Sequence, residues 1–359
     1  MSEEVLQRLA HQFDKEPTPA IIAFEIVVLL GTVALLWLLS RRQHNILKHY
    51  LVVAVGVLIF EVFTAPMWDN HKLGVWAYLY KDVSWVLTLG WSSLVLGTVF
   101  LVDWWSANAR AWQRFLVYLG ILTVLTAVAE AVVVGLGIRS YAPEIMAVLA
   151  GSYIPGTPIS LHLLYYVPVF LSLVICVYKY WAPLLDGTPI PEPTGQNWLR
   201  SLALGFVGVF FFELMIEPMV DNRGFPSWSY VYRDISVLMT GFWLALIVLT
   251  TNFIDRLLPR LDAVYRFALY LVVLCIVATP IEGWLINSGM RMYGPSATAN
   301  FSGIRTMLGD LPIEVVAAIP LYLALVICFI RYWERITAPD LQLGFSAPAL
   351  APTAEAAGS

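Results

Sequence analysis

The chain has 359 residues, of which 59% are hydrophobic and only 13% are charged, and its net charge is −4. These values, with a mean hydropathy of +0.75, lie far from the averages of soluble domains and predict a membrane protein. The small net charge gives no support to a nucleic-acid partner.

Apolar segments long enough to span a bilayer recur along the whole chain. They cover residues 19–40, 50–68, 83–103, 115–137, 159–181, 202–220, 235–253, 265–287 and 312–331. Each can cross a hydrocarbon core of ~30 Å at 1.5 Å per residue, and barrel strands would be shorter and alternate in polarity. The sequence therefore predicts an all-α integral membrane protein with nine transmembrane helices. The first segment ends in Ser40-Arg41-Arg42 without a small-residue cleavage site, so we expect it to be retained.

The distribution of Lys and Arg predicts the orientation. With the N-terminus outside, twelve of these residues fall on the inner side and nine on the outer side, which agrees with the positive-inside rule. We expect the N-terminus outside, the C-terminus in the cytoplasm, and the bacterial inner membrane as the location.

The usual signatures of metal and cofactor sites are missing from the sequence. Cys176, Cys275 and Cys328 fall inside predicted spans and have neither metal-type nor disulfide-framework spacing. The five histidines form no HxxxH or HxxHH cluster. Gly-rich phosphate loops, a GxSxG elbow and a CxxCH haem motif are also missing. We therefore expect no metal and no cofactor.

An internal repeat covers most of the chain. A shift of 152 positions aligns Glu61 with Glu213 without a gap, and near the end it aligns VICVYKYW, from Val174, with VICFIRYW, from Val326. The sequence thus predicts a duplicated four-helix unit. Because four is an even number, both copies should enter the membrane from the same side, as parallel repeats.

The repeat sets the expected domain organisation. An N-terminal segment with the first transmembrane helix covers 1–49, the first four-helix repeat 50–181, a Pro-rich linker 182–201, the second repeat 202–335, and a disordered tail 336–359. Pseudo-symmetric pairs of this kind commonly bind their ligand at the repeat interface.

Acidic residues inside the predicted spans are the main functional candidates, because a charged side chain at mid-helix costs ~2.5 to 3.5 kcal/mol on insertion scales. The predicted catalytic residues are Glu61, Glu130, Glu213 and Glu282. The predicted substrate-binding residues are Asp69, Asn70, Asp221, Asn222, Trp76, Trp228, Tyr78, Tyr230, Arg139 and Arg291. We expect these acids and arginines to gather around a shared cavity in the outer half of the membrane.

Structural roles are the alternative at several acidic positions. Asp82 and Asp234 precede helix starts and could be N-caps. Asp103 and Asp255 could form surface pairs at inner helix ends with the nearby Arg110 and Arg256.

The arginines and tryptophans also have structural alternatives. Arg139 and Arg291 could neutralise the outer acids in a buried network. Trp76 and Trp228 lie where interfacial aromatic belts occur.

The two copies differ in acid content. Glu217 aligns with Ala65, and Glu314 aligns with His162. Pro280, in the second copy, could kink the helix beside Glu282. The second copy is therefore the predicted active half.

One segment resembles a known family. The stretch PMWDNHKLGVWAY, from Pro66 to Tyr78, is similar to the Pro-Trp-Asp-Asn segment and following Trp/Tyr pair of the heterodimeric and fungal-type lycopene cyclases. Those small membrane enzymes are built from a duplicated helical unit of three helices and carry Pro-x-Glu-Glu or Pro-x-Glu-Asp. This chain has four helices per unit and only Pro280-Ile281-Glu282 and Pro312-Ile313-Glu314, each without the second acid.

The resemblance implies acid-catalysed isoprenoid or carotenoid cyclisation without a cofactor. A carboxylic acid in an apolar pocket keeps its proton, and aromatic faces stabilise the carbocation that protonation of an alkene creates. The expected donor is Glu282 or Glu213, with Trp228 and Tyr230 near the cation. The expected partner is a membrane lipid or an isoprenoid substrate, and nothing in the sequence specifies an oligomeric state.

Two other classes fit the same features. Paired intramembrane carboxylates and parallel repeats also describe a proton- or cation-coupled transporter. A non-enzymatic membrane subunit that holds lipid, quinone or pigment between its bundles is the third possibility.

Overall fold

The computed structural model describes residues 14–142, 145–146, 153–157, 159–161, 163–191, 197–306 and 311–338. Nearly all of the predicted disordered tail, from residue 339 onward, falls outside these ranges, and so does His162.

Helices account for most of the described chain. Nine of those in the described ranges are long and apolar enough to cross a membrane, which confirms that part of the prediction. They are α1 (Pro19–Ser40), α2 (Ile46–Thr64), α3 (Trp85–Trp105), α4 (Ala111–Gly135), α5 (Leu163–Leu185), α6 (Trp198–Ile216), α7 (Val237–Leu257), α8 (Ala263–Asn287) and α10 (Ile313–Thr337), with the short helix α9 (Pro295–Ala299) before the last.

Some helix ends extend past the apolar segments. The last helix continues to Thr337, although its apolar run ends near residue 331. Arg331 donates to Glu334 at 3.0 Å, and Ser201 of α6 donates to the other oxygen of Glu334. Because these polar groups are paired, the helix can continue with polar residues in its last turns.

Among the described residues, eight short strands lie in the loops at one end of the bundle, and the apolar pattern of the sequence does not predict them. They are β1 (Trp68–Asn70), β2 (Tyr78–Tyr80), β3 (Val83–Ser84), β4 (Arg139–Tyr141), β5 (Val220–Asn222), β6 (Tyr230–Tyr232), β7 (Ile235–Ser236) and β8 (Arg291–Tyr293). β1 pairs with β4 and β5 with β8, both antiparallel, while β2–β3 and β6–β7 are hairpins. We call this end of the bundle the strand end.

The element bounds repeat along the chain. α2, α3 and α4 begin and end 152 residues before α6, α7 and α8, and each of the strands β1 to β4 begins and ends 152 residues before β5 to β8. The two halves therefore have the same order of elements in the same register.

The centre of the molecule is formed by the last helix of each half. α5 packs against α10 and α2, and α10 packs against α6 and α8. Cys176 and Cys328, on these central helices, are 0% and 1% exposed, so both pack as small apolar residues in the interior.

Helix α1 packs along α3 and has no counterpart among the described residues of the second half. Val28 and Leu35 of α1 lie beside Gly90 and Gly97 of α3. In α7 the equivalent positions are Phe242 and Leu249, which are 43% and 56% exposed. Small residues let two membrane helices approach closely, so the larger side chains on α7 leave no matching surface for a helix like α1.

Candidate functional site

In the first half, Glu130 is part of a buried polar network. Arg139 Nη1 donates to Glu130 Oε2 at 2.9 Å, and the Tyr141 hydroxyl donates to the other carboxylate oxygen at 3.0 Å. Arg139 Nε also donates to Asn70 Oδ1 at 3.0 Å. The arginine lies nine residues after the glutamate, on β4, and the pairing of β4 with β1 brings these groups together.

The second half contains the same network. Arg291 Nη1 lies 3.0 Å from Glu282 Oε2, and the Tyr293 hydroxyl donates to Glu282 Oε1 at 2.9 Å. Arg291 Nε donates to Asn222 Oδ1 at 3.2 Å. Glu282 is 3% exposed and Arg291 8%. Both glutamates are therefore acceptors in neutralised ion pairs, and their arginines have the structural contacts that the sequence allowed for.

Asp82 and Asp234 hold the loop strands in place. Asp82 accepts a hydrogen bond from the backbone N–H of Asn70 at 3.3 Å, and Asp234 accepts one from Asn222 at 2.8 Å. Burial, together with the nearby Asp69 carboxylate, raises the pKa of Asp82 to about 7. Burial also raises the pKa of Asp234.

The prediction that these aspartates cap helices is wrong. The N-cap of α3 is Ser84, whose hydroxyl accepts from the backbone N–H of Leu87, and the N-cap of α7 is Ser236. The aspartates lie two residues earlier, in the hairpin turns, where their carboxylates point to the preceding strand instead.

Glu61 and Glu213 have a different environment from the paired glutamates. Each accepts a hydrogen bond at Oε2 from a threonine hydroxyl one helix away, Thr88 for Glu61 and Thr240 for Glu213. In the described part of the chain, Oε1 of each has no hydrogen-bond partner. Both are 5% exposed. They are buried carboxyls without a cation bound to them in the described ranges.

A cavity of about 400 Å³ lies at the strand end, and we call it the second-half cavity. Most of its wall belongs to α6, α7, α8, α9, α10, β5 and β8. The end of α2, the β2–β3 turn and short connecting segments also contribute. Its lining residues include Val62, Phe63, Tyr80, Lys81, Asp82, Phe212, Glu213, Val220, Trp243, Glu282, Arg291, Tyr293, Phe301, Glu314 and Tyr322. The second-half cavity therefore lies where the two halves meet.

Aromatic rings form part of the wall beside Glu213. The Tyr322 ring centroid lies 4.3 Å from that of Phe212 and 6.0 Å from that of Trp243. Trp243 was not selected by the sequence reasoning, although the repeat aligns it with Trp91. That alignment of two tryptophans inside spans was the signal that could have found it.

At two corresponding positions of the first half, aromatic rings pack against Phe60. Trp68 occupies the position of Val220, and its ring centroid lies 5.8 Å from that of Phe60. Phe170 occupies the position of Tyr322 and stacks on Phe60. Trp68 and Phe170 thus pack on Phe60 at the two positions whose counterparts, Val220 and Tyr322, line the second-half cavity.

Of the fourteen predicted site residues, Glu213, Glu282 and Arg291 line the second-half cavity. Glu61, Glu130, Asn70, Asn222 and Arg139 lie in the networks described above. Asp69 is 7% exposed, whereas Asp221 is half exposed and pairs with Arg223 at 2.7 Å. The expected acids and arginines are thus divided between a cavity wall and several separate contacts.

The predicted aromatic ligand contacts lie elsewhere. Trp76 and Trp228 are 50% and 70% exposed, and neither lines the second-half cavity. The Tyr78 and Tyr230 hydroxyls each donate, at 3.2 Å, to the carbonyl of the asparagine eight residues earlier. These tyrosines stabilise the loops, because each hydroxyl forms a hydrogen bond with a backbone carbonyl of its own loop.

Glu25 of α1 is a buried acid that the sequence analysis did not consider. Its Oε1 accepts from the backbone N–H of Gly74 at 2.7 Å, and the residue is 2% exposed. The glutamate therefore ties the first-half loop to α1.

At the opposite end of the bundle, the expected surface pairs have other partners. Asp103 contacts Lys179 and lies 3.2 Å from Arg114, and Asp255 contacts Arg331. Lys179 and Arg331 come from the neighbouring helices α5 and α10, so cations distant in the sequence pair with these aspartates.

Within the described ranges, no group of three or more His, Cys, Asp or Glu side chains could hold a metal ion. No protein-family model matches the chain, and neither a curated protein nor a solved structure matches it.

Proposed function

We propose that this protein is an integral membrane enzyme that acts by acid catalysis, without a cofactor, on an isoprenoid bound in the second-half cavity. One observation carries the proposal. Glu213 is buried in the cavity wall, accepts a hydrogen bond from Thr240, and keeps one carboxyl oxygen without a partner in the described structure. Such a carboxyl in an apolar wall favours its protonated form.

Glu213 is a better candidate donor than Glu282. Glu282 accepts hydrogen bonds from Arg291 and Tyr293, so both of its carboxyl oxygens are already engaged by protein groups. Glu213 has a hydroxyl as its only bonded partner in the described ranges, so it can hold a proton and release it toward the cavity.

The proposed reaction is redox-neutral. Glu213 transfers its proton to an alkene carbon, and the electron pair of the double bond forms the new C–H bond, which leaves a carbocation. The faces of Trp243, Phe212 and Tyr322 are available to stabilise that cation. A second double bond closes the ring, and loss of a proton from a carbon beside the new cation returns the proton to Glu213.

We also propose how the protein lies in the membrane. The two halves are parallel repeats, the N-terminus is outside, and the strand end faces outward, which puts the second-half cavity in the outer half of the bilayer. Even helix number in each repeat and the Lys and Arg distribution support this orientation. The bacterial inner membrane is the proposed location.

Expression in cells that make acyclic carotenoids or other polyprenoids tests the function. We expect mass spectrometry of lipid extracts to find a product of unchanged mass but altered retention, as cyclisation requires. The Glu213→Gln variant should form far less of it. Glu61→Gln is the matched control, because Glu61 has the same threonine contact but does not line the cavity.

Two results would contradict the proposed enzyme. One is equal product formation by wild type and Glu213→Gln. The other is solute uptake into proteoliposomes that Glu213→Gln abolishes, which would identify a transporter instead.

A further inference from the structure

We propose that the second-half cavity recognises an oxygen atom of its ligand through the Tyr322 hydroxyl and the Glu213 carboxyl, so that the ligand is an oxygenated isoprenoid rather than a hydrocarbon. The isoprenoid class rests on the proposed function. The oxygen requirement comes from two polar groups in the wall of the cavity.

Tyr322 provides the first of these groups. The residue lines the cavity, is 9% exposed, and its hydroxyl has no hydrogen-bond partner among the described residues. A buried hydroxyl without a partner is unfavourable, and native proteins rarely keep one without a water or ligand to satisfy it. Phenylalanine would fill the same space without this cost.

Glu213 provides the second group, from the neighbouring helix α6. Its Oε1 is buried and has no partner in the described ranges, while its Oε2 is held by Thr240. The residue before it, Phe212, contacts the Tyr322 ring. The two unsatisfied groups therefore belong to adjacent parts of one wall.

The first half shows which of the two groups is specific to the cavity. Glu61 Oε1 also has no partner among the described residues, so the carboxyl is a feature of both halves. The hydroxyl is not, because Phe170 occupies the position of Tyr322 and stacks on Phe60. At this pair of positions, the unpaired hydroxyl belongs to the residue that lines the second-half cavity.

The chemistry of the ligand follows from these groups. A phenol and a protonated carboxyl can both donate to a carbonyl or hydroxyl oxygen, and a hydrocarbon would leave both unpaired. Sites built to bond a ligand oxygen reject analogues that lack it. A volume of about 400 Å³ falls in the range of small-molecule sites.

Binding to the purified full chain in detergent tests the inference. The probes are farnesol and β-farnesene, which have the same carbon number but differ in the oxygen. Ligand-induced shifts in thermal unfolding report their affinities. We expect wild type to bind farnesol about 10-fold more tightly, as one to two net hydrogen bonds would give.

The Tyr322→Phe variant should lose most of this preference by weakening farnesol binding and sparing β-farnesene. The new phenylalanine ring matches the one already present at position 170, so we expect the variant to fold. Thermal unfolding of the variant without a probe checks this. Tyr166→Phe is the matched control. Tyr166 also has a buried hydroxyl with no partner in the described structure but does not line the cavity, so its variant should keep the preference.

Equal affinities of wild type for the two probes, or full preference in Tyr322→Phe, would overturn the inference. So would failure of both probes to bind. The outcome of this binding experiment does not depend on catalytic turnover. Farnesol preference without any cyclised product would retain this inference and remove the proposed enzyme, whereas product formation without preference would do the reverse.

Discussion

Trp68 and Val220 occupy equivalent positions in the two halves, and the smaller residue, Val220, lines the second-half cavity. The Trp68 ring packs against Phe60, with Arg139 lying 4.9 Å from its centroid. At Val220 no indole fills this space. The exchange of one side chain therefore accounts for much of the difference between the two halves at the strand end.

Val220→Trp should close the second-half cavity. The indole would occupy the space that the ring takes in the first half, and Arg291 is available beneath it as Arg139 is beneath Trp68. We expect the variant to lose farnesol binding, measured by thermal shift. Overpacking could cost about 1–3 kcal/mol of stability, so unfolding without probe must be recorded as well. A folded variant that binds farnesol normally would disprove this role of position 220.

Glu213→Gln should lower turnover by ~10² to 10⁴, the contribution expected of a general acid. The amide keeps the shape and can still accept from Thr240, so binding should change less than turnover. Product formation per unit of folded protein is the measurement. Glu61→Gln should retain wild-type turnover, and equal losses in both variants would point to a structural effect of the carboxyls.

Glu282→Gln should destabilise the protein by ~3–5 kcal/mol, because it leaves the buried Arg291 without its counter-charge. Glu130→Gln should lower the stability by a similar amount, because it leaves the buried Arg139 without its counter-charge. Denaturant unfolding in detergent measures both. The double variant Glu282→Leu with Arg291→Met should lose less stability than the single Glu282 variant, because no unpaired charge remains buried. If the stability losses of the two positions simply add, the two side chains are not directly coupled.

Asp82 should make stability depend on pH. Its folded pKa is about 7, above the value of about 3.9 for an unfolded aspartate. Between these values the folded state holds a proton that the unfolded chain has released, so stability should fall as pH rises from about 4 to 7. Asp82→Asn removes this titration. The unfolding midpoint of this variant should fall less steeply with pH over this range than that of wild type. If the two midpoints fall in parallel, Asp82 is not the group responsible.

Much of the fold could be predicted from the sequence. The nine helices followed from the lengths of the apolar segments, because a bilayer of fixed thickness requires runs of about twenty apolar residues. The 152-residue register, visible as Glu61 aligned with Glu213, also predicted which elements would recur. The short strands were not predicted, since segments of two or three residues carry no periodic signal and depend on partners distant in the chain.

The candidate site was only partly visible in the sequence, which identified the four glutamates and favoured the second copy but did not separate Glu213 from Glu282. No cation lies within one helical turn of Glu282, yet Arg291 reaches it because β8 pairs with β5 and turns the chain back. Glu213 is not ion-paired in the described structure and faces a cavity, and neither property depends on local sequence. A cavity is the volume that side chains from several helices fail to fill, so only the tertiary structure decided that Glu213 would line one.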